Sequence, residues 1–406
     1  MRLTLSAMET GARESLRKGL VESLHTMVSD TVYPDFNFQE LLATQSQTVH
    51  DNRPQLQLIA GDASDRKFYR LEMGTRSAIC MKFPVWEGGY GGDPLSWLGM
   101  QHALVAMGIP VPKILHVDEA NCCIWTEDFG DQFLNYNLGQ IDLDLKNTAC
   151  TETLEYYKQA LKLLLQAQYP PSAAIEHPAL YRAFDTEKLM FEMNFFLKHF
   201  VRGWLGMEFR DTNPQDVALQ KELTQLCMWL SNRERVLCHR DYHVRNVMVV
   251  DNNAKWIDFQ DARMGPHTYD VVSLVRDSYV RLTSETRHFL YKFYFENLNQ
   301  ARAANQLPTW SWETFFTETQ HMGLQRNIKA LGSFGYLAIE KQKSTYLQYV
   351  PHTLEVLIQS DSLMGMGEDL QNAYPVLLGF LHSLSKGKLR PLLEKRLKES
   401  GARHFL

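Results

Sequence analysis

The stretch that most constrains this chain is Cys238–Ala262, CHRDYHVRNVMVVDNNAKWIDFQDA. Val236 and Leu237 are apolar and lead into a polar loop, His239 to Asn246. Val247 to Val250 has the unbroken apolar character of a buried strand, and Asp251-Asn252-Asn253 is a turn signal. Lys255-Trp256-Ile257 reads as a second strand, closed by Asp258. This order predicts a β-hairpin with polar groups at its open end. A hairpin folds back, so the loop before its first strand meets the end of its second. Asp241, Asn246 and Asp258 are therefore expected to converge.

Converging carboxylate and amide oxygens are what Mg²⁺ takes as ligands, together with water and substrate phosphates. Phosphoryl transfer needs such an ion and one carboxylate that orients the attacking hydroxyl. A single aspartate here would be a turn cap; the ordered set with strands between is what points to chemistry. The order H-R-D-x-x-x-x-N, hairpin, Asp resembles the protein-kinase signature, although Asp258-Phe259-Gln260 lacks the glycine of D-F-G.

The chain has 406 residues, 45% hydrophobic and 22% charged, enough for more than one lobe. A net charge of −5 argues against a general nucleic-acid binder. Six cysteines, with no C-x-x-C among them, indicate neither a zinc module nor a redox motif and suit a reducing, cytoplasmic compartment. His239 and His243 have metal-ligand spacing but no third soft ligand beside them. No apolar run has the length of a membrane span, and the N-terminus lacks a signal-peptide core. The expectation is thus no nucleic acid and no membrane.

Along the chain, residues 1–50 read as a partly helical extension. Strands are expected at Leu56–Ala60, Phe68–Glu72 and Ser77–Phe83. The turn Gly61-Asp62-Ala63-Ser64-Asp65 is either a phosphate-covering loop, through Ser64 and Asp65, or a plain hairpin turn. Lys82 ends the third strand and fits a lysine that pairs with nucleotide phosphates. Asp93 and Pro94 start a helix that Gly108 stops, and residues 94–108 hold no acid to pair with Lys82. Lys82 then pairs elsewhere, with Glu87 a candidate, or stays unpaired until phosphate arrives. Two more strands, Lys113–Val117 and Cys123–Thr126, lead to Glu127-Asp128-Phe129-Gly130, either a nucleotide-binding hinge (Glu127, Phe129) or an ordinary linker. Beyond Leu138 the pattern is helical, with Thr151–Gln168, Thr186–Phe200, Pro214–Asn232, Val271–Tyr279, Glu285–Ala304 and Trp312–Ile339 the clearest segments. Asp270 is placed to brace the loop around Asp241, and Leu389–Glu399 reads as a solvated basic helix.

With these residues in view, the chain resembles the aminoglycoside phosphotransferase and choline kinase group. More narrowly, it is similar to bacterial anomeric kinases of N-acetylmuramate and N-acetylglucosamine. The resemblance rests on Gly61–Leu71, Trp125–Asp131, the Asp241–Asn246 loop and Asp258–Pro266, and covers about 51 to 350. It implies an α+β, protein-kinase-like two-lobed fold: a small antiparallel-sheet N-lobe at 51–127 and a large, mainly helical C-lobe at 128–406, with the catalytic hairpin at 236–262. It implies ATP and Mg²⁺, with Asp241 as catalytic base, Asn246 and Asp258 as metal ligands, and Lys82 on the α- and β-phosphates. Gln260, Asp261, Arg263 and Arg276 would face the sugar. A kinase of an amino alcohol, amino acid or aminoglycoside, or a silent nucleotide-binding scaffold, remains open. Intact Asp241, Asn246 and Asp258 speak against the scaffold, and arginines after the metal site suit a neutral or anionic sugar better than a polycation.

Overall fold

The computed structural model describes residues 55–59, 66–73, 75–86, 94–138, 142–171, 175–210, 212–358 and 368–401. The N-terminal extension, the turn bearing Ser64 and Asp65, and Glu87 and Asp93 lie outside them.

Five antiparallel strands form one sheet: β1 (Gln55–Ile59), β2 (Lys67–Met73), β3 (Arg76–Lys82), β4 (Ile114–Asp118) and β5 (Cys123–Glu127), in the order β1-β2-β3-β5-β4. Helix α1 (Pro94–Ala106) links β3 to β4 and ends before Gly108, whose φ of +75° glycine adopts without strain. Strand alternation splits the sheet into two faces. Met81, Phe83 and Ile124 point to the main core with Trp97 and Leu98 of α1. Ala78, Cys80, Cys123 and Trp125 form a separate small cluster with Leu71 on the other face.

The remainder is mostly helical: α2 (Thr151–Gln168), α3 (Thr186–Phe196) running into a π-helical stretch (Leu197–Trp204), and α4 (Pro214–Ser231). After four short strands come α5 (Thr268–Val275), α6 (Ser284–Ala304), α7 (Trp312–Ile339) and α8 (Val350–Ile358). The C-terminal helices are α9 (Glu368–Ala373), α10 (Pro375–Ser385) and α11 (Arg390–Glu399). Side-chain caps start several of them: Asp185, Asn213, Thr283 and Ser311 each accept a backbone N–H of the first turn. The long helix α7 packs on α3, the π-helical stretch, α5 and α8. Its contact with the π-helical stretch is close because Gly332 and Gly335 leave the room; a Cβ on Gly335 would stand 2.6 Å from the His199 carbonyl oxygen.

The expected hairpin is present as β7 (Val247–Val250) and β8 (Asn253–Trp256), with Val250 opposite Asn253. Asp251 and Asn252 have φ of +50° and +60°, the conformation a two-residue type I′ turn requires. The second strand thus starts earlier than Lys255. Sequence reading did not foresee the pairing of β6 (Arg235–Cys238) with β9 (Arg263–Pro266), which ties both ends of the central stretch together. Helix α5 begins before Val271 and ends before Tyr279.

Candidate active site

The loop from His239 to Asn246 is held from below by two buried carboxylates. Asp270 of α5 accepts the backbone N–H of His239 (2.6 Å) and of Arg240 (3.1 Å). Asp277, just past α5, accepts from Val244 N (2.9 Å) and Tyr279 N (2.8 Å). Burial pushes Asp270 up to about 7 and Asp277 to about 6, against the lowering effect of those N–H groups. Arg240 and Asp258 sit at positive φ, +85° and +60°, strain that the surrounding bonds must hold.

The loop is then laced to the end of the hairpin. Asn246 Nδ2 donates to the Asp241 carbonyl (2.9 Å), Ile257 N to the Asn246 carbonyl (3.1 Å), and His239 Nε2 to the Ile257 carbonyl (2.9 Å). Asp258, Asp241 and Asp261 all act electrostatically on the His239 ring. Backbone folding therefore brings Asp241, Asn246 and Asp258 to one locality. The Oδ1 of Asp258 accepts from Arg66 Nη2 (3.0 Å) and Gln260 Nε2 (3.1 Å). Its Oδ2 and the Asn246 Oδ1 accept no hydrogen bond from the described residues.

Lysine 329 of α7 donates to Asp241 Oδ1 at 2.8 Å and lies 3.9 Å from Glu192 of α3. Arg240 Nη1 is 3.8 Å from Asp241 Oδ2 and 2.9 Å from Asp261. Burial alone would raise the Asp241 carboxyl, but Lys329, Arg240 and Arg326 outweigh it and hold the group well below its usual range. Burial, with Arg326 nearby, brings Lys329 down to about 8. A cleft opens beside Asp241, walled by Arg276, Arg326, Lys329, Asp277, Ser333 and Phe334 among others.

Other expected site residues are placed differently. Lys82 is on the sheet face of Cys80 and Cys123, away from α1 and the main core, and its Nζ donates to the Asn121 carbonyl in the β4–β5 turn. The residue before it, Met81, takes the inward position, so period-two alternation turns Lys82 outward. A cation that does reach Asp258 is Arg66, the residue just before β2, at 3.0 Å. Gln260 is buried and braces Asp258, and its carbonyl accepts from Arg182 (3.1 Å). Asp261 holds Arg240. Arg263 lies over the Phe184 ring at 5.1 Å. Arg276 does line the cleft, as expected of it; it is largely buried there, presses on Gly323 and donates to the Val356 carbonyl, stitching α7 to α8. Glu127 and Phe129 lie where the sheet meets the helical part; Glu127 N bonds the Lys113 carbonyl (2.9 Å) and Lys255 Nζ sits 4.6 Å above the Phe129 ring. Arg70 ties this junction through Asp128 (2.8 Å) and Asp131 (2.9 Å).

A family model described as "Phosphotransferase enzyme family" matches residues 55–304, which spans the sheet, the Asp241 loop and the hairpin. The chain belongs to this family. As a phosphotransferase it is similar to the N-acetylmuramate/N-acetylglucosamine kinase of Pseudomonas aeruginosa, 29% identical over 299 residues, 73% of this chain and 81% of that protein. The protein of the same name from Neisseria meningitidis is 29% identical over 321 residues, 77% of this chain and 87% of the relative. Among solved structures, the choline kinase of Cryptosporidium parvum superposes with a TM-score of 0.51 at 9% identity, covering 85% of this phosphotransferase and 98% of that chain. That likeness bears on the fold. Family membership makes the protein a kinase-type enzyme, and no helix among the described residues is long and apolar enough to cross a membrane.

Sequence reading assigned no role to Lys329, Glu192, Arg326 or Arg66. Arg66 stands in a stretch that reading singled out, next to β2. Lys329 carries no local signal: it is one lysine on a 28-residue helix, 88 positions past Asp241.

Proposed function

We propose that this phosphotransferase moves the γ-phosphoryl group of ATP to the anomeric hydroxyl of N-acetylmuramate or N-acetylglucosamine, as part of cytoplasmic cell-wall sugar recycling. The observation that carries the reading is the cleft at Asp241, whose α7 wall presents Arg326 and Lys329. Such a wall repels a polycationic acceptor and accepts a neutral or anionic sugar. The names of the bacterial relatives support the same substrates.

In this reading Asp241 accepts the proton of the sugar hydroxyl. Its strong ionisation makes it a weak base, which suits a hemiacetal hydroxyl, more acidic than an ordinary alcohol, and a loose transition state in which orientation matters most. The unshared oxygens of Asn246 and Asp258 would hold a Mg²⁺ ion, which would supply charge neutralisation at the phosphates when bound. Arg66 takes the phosphate-facing place that sequence reading gave to Lys82, and Glu127 and Phe129 offer backbone groups to the adenine edge.

Phosphorus NMR of the product tests the reading. An anomeric phosphate, acid-labile and non-reducing, is expected from N-acetylmuramate, with N-acetylglucosamine also accepted. Phosphate on an amino-alcohol or aminoglycoside hydroxyl, with neither sugar turned over, would refute it.

A further inference from the structure

Around Asp241 the loop itself supplies little free positive charge. Arg240 is committed to Asp261 at 2.9 Å and stands 3.8 Å from Asp241. Arg245 turns away into an aromatic cage, 4.0 Å from the Tyr279 ring centroid, and donates to Tyr349 Oη at 2.7 Å. His243 lies edge-on to Tyr279, and burial lowers it to about 4, so it is neutral at working pH. The ammonium that does reach Asp241 comes from a distant helix. Lys329 Nζ meets Oδ1 at 2.8 Å and leaves Oδ2 for another partner. It also lines the cleft in which an acceptor can stand.

We propose that Lys329 is a catalytic residue, whose ammonium fixes the Asp241 carboxylate by one oxygen and bears on the phosphoryl group as it passes to the acceptor. This rests on the reading of Asp241 as the base. The acceptor hydroxyl donates to Asp241 Oδ2 and its oxygen lone pair forms the new P–O bond. The bond from the γ-phosphorus to the bridging oxygen breaks, its electron pair leaving with ADP. The hydroxyl proton passes to Asp241 and then to water, while Lys329 keeps its own protons. Transfer spreads negative charge over the phosphoryl oxygens, and a fixed cation in a partly dry site stabilises it without reorganisation.

The surroundings of Lys329 fit such a role. Glu192 from α3 lies 3.9 Å away and is itself held by Gln325 (2.8 Å). Tyr269 Oη from α5 is at 3.4 Å, Arg240 approaches from the loop, and Arg326 shares the helix. Burial first, then Arg326 and Arg240, lower the lysine to about 8, against Asp241 and Glu192. Its charge is thus lost on the alkaline side of neutrality.

The experiment measures kcat, and kcat/KM for MgATP against pH, in wild type, Lys329→Met, Lys329→Arg and Asp241→Asn. Lys329→Met should lose about 10²–10³-fold in kcat, the scale of one removed charge-stabilising donor. Wild-type kcat/KM should fall as pH rises through about 8. Lys329→Arg should recover part of the lost rate and stay level there, because a guanidinium keeps its proton. A Lys329→Met variant within about threefold of wild type in kcat overturns the proposal. So does a Lys329→Arg variant with an unchanged alkaline limb, since that assigns the lysine a structural charge. Should the Met variant fail to fold, the Arg profile alone decides. Asp241→Asn with wild-type turnover removes the base and the proposal with it. If neither sugar accepts phosphate, the same profiles are read on MgATP hydrolysis by water, which separates the role of Lys329 from the choice of acceptor.

Discussion

Replacing Asp270 by asparagine tests how the loop is held. The carboxylate is fully buried beneath His239 N and Arg240 N, and burial raises it from 3.8 to about 7. Between those values the folded protein binds more protons at this site than the unfolded chain. Stability from this group is therefore fully present below about pH 4 and declines as pH rises toward 7. A shift from 3.8 to about 7 amounts to on the order of 4 kcal/mol across the window, a large share of a typical domain's stability. Asparagine has the shape of the protonated acid and no charge to desolvate. Asp270→Asn should match the wild type in stability near pH 4 and equal or exceed it at pH 8, while turnover falls because the loop loses a two-acceptor clamp. Urea denaturation at a series of pH values, with activity measured in parallel, checks both. A variant that is less stable than wild type at pH 8 by more than about 1 kcal/mol, or that keeps the wild-type pH slope, would show that Asp270 is not a costly charge retained to hold the loop.

Two further outcomes follow from the geometry. Arg66→Ala should weaken MgATP binding by about tenfold, the scale of one lost charge-assisted contact, and Lys82→Ala should leave it nearly unchanged; isothermal titration of both compares the inward and outward cations directly. Gly335→Ala would drive a methyl group against the His199 carbonyl and push α7 off the π-helical stretch, costing about 1–3 kcal/mol in urea unfolding. Because α7 carries Lys329, turnover should fall as well.

The sequence by itself determined whatever is set by neighbours along the chain. The β7–β8 hairpin was legible because Asp251-Asn252 can adopt the left-handed turn and the flanking residues are apolar. The order Asp241, Asn246, Asp258 was legible because the loop and hairpin between them leave one way to fold back. Asp270 was legible as a brace, and most of the helices by their periodicity. Tertiary structure decided what depends on direction and distance. Lys82 follows an apolar strand convincingly, but one step of the pleat sets it on the outer face and leaves Met81 inside. Arg263 and Arg276 both follow the metal-site aspartate in sequence; close packing engages Arg263 with Phe184, whereas Arg276 lines the cleft and also bonds α8. Lys329 and Glu192 enter the site only because α7 and α3 pack side by side there. A lone charged residue on a long helix carries no periodic or spacing signal. Its meaning comes from the carboxylate it meets, and that meeting exists only in the folded chain.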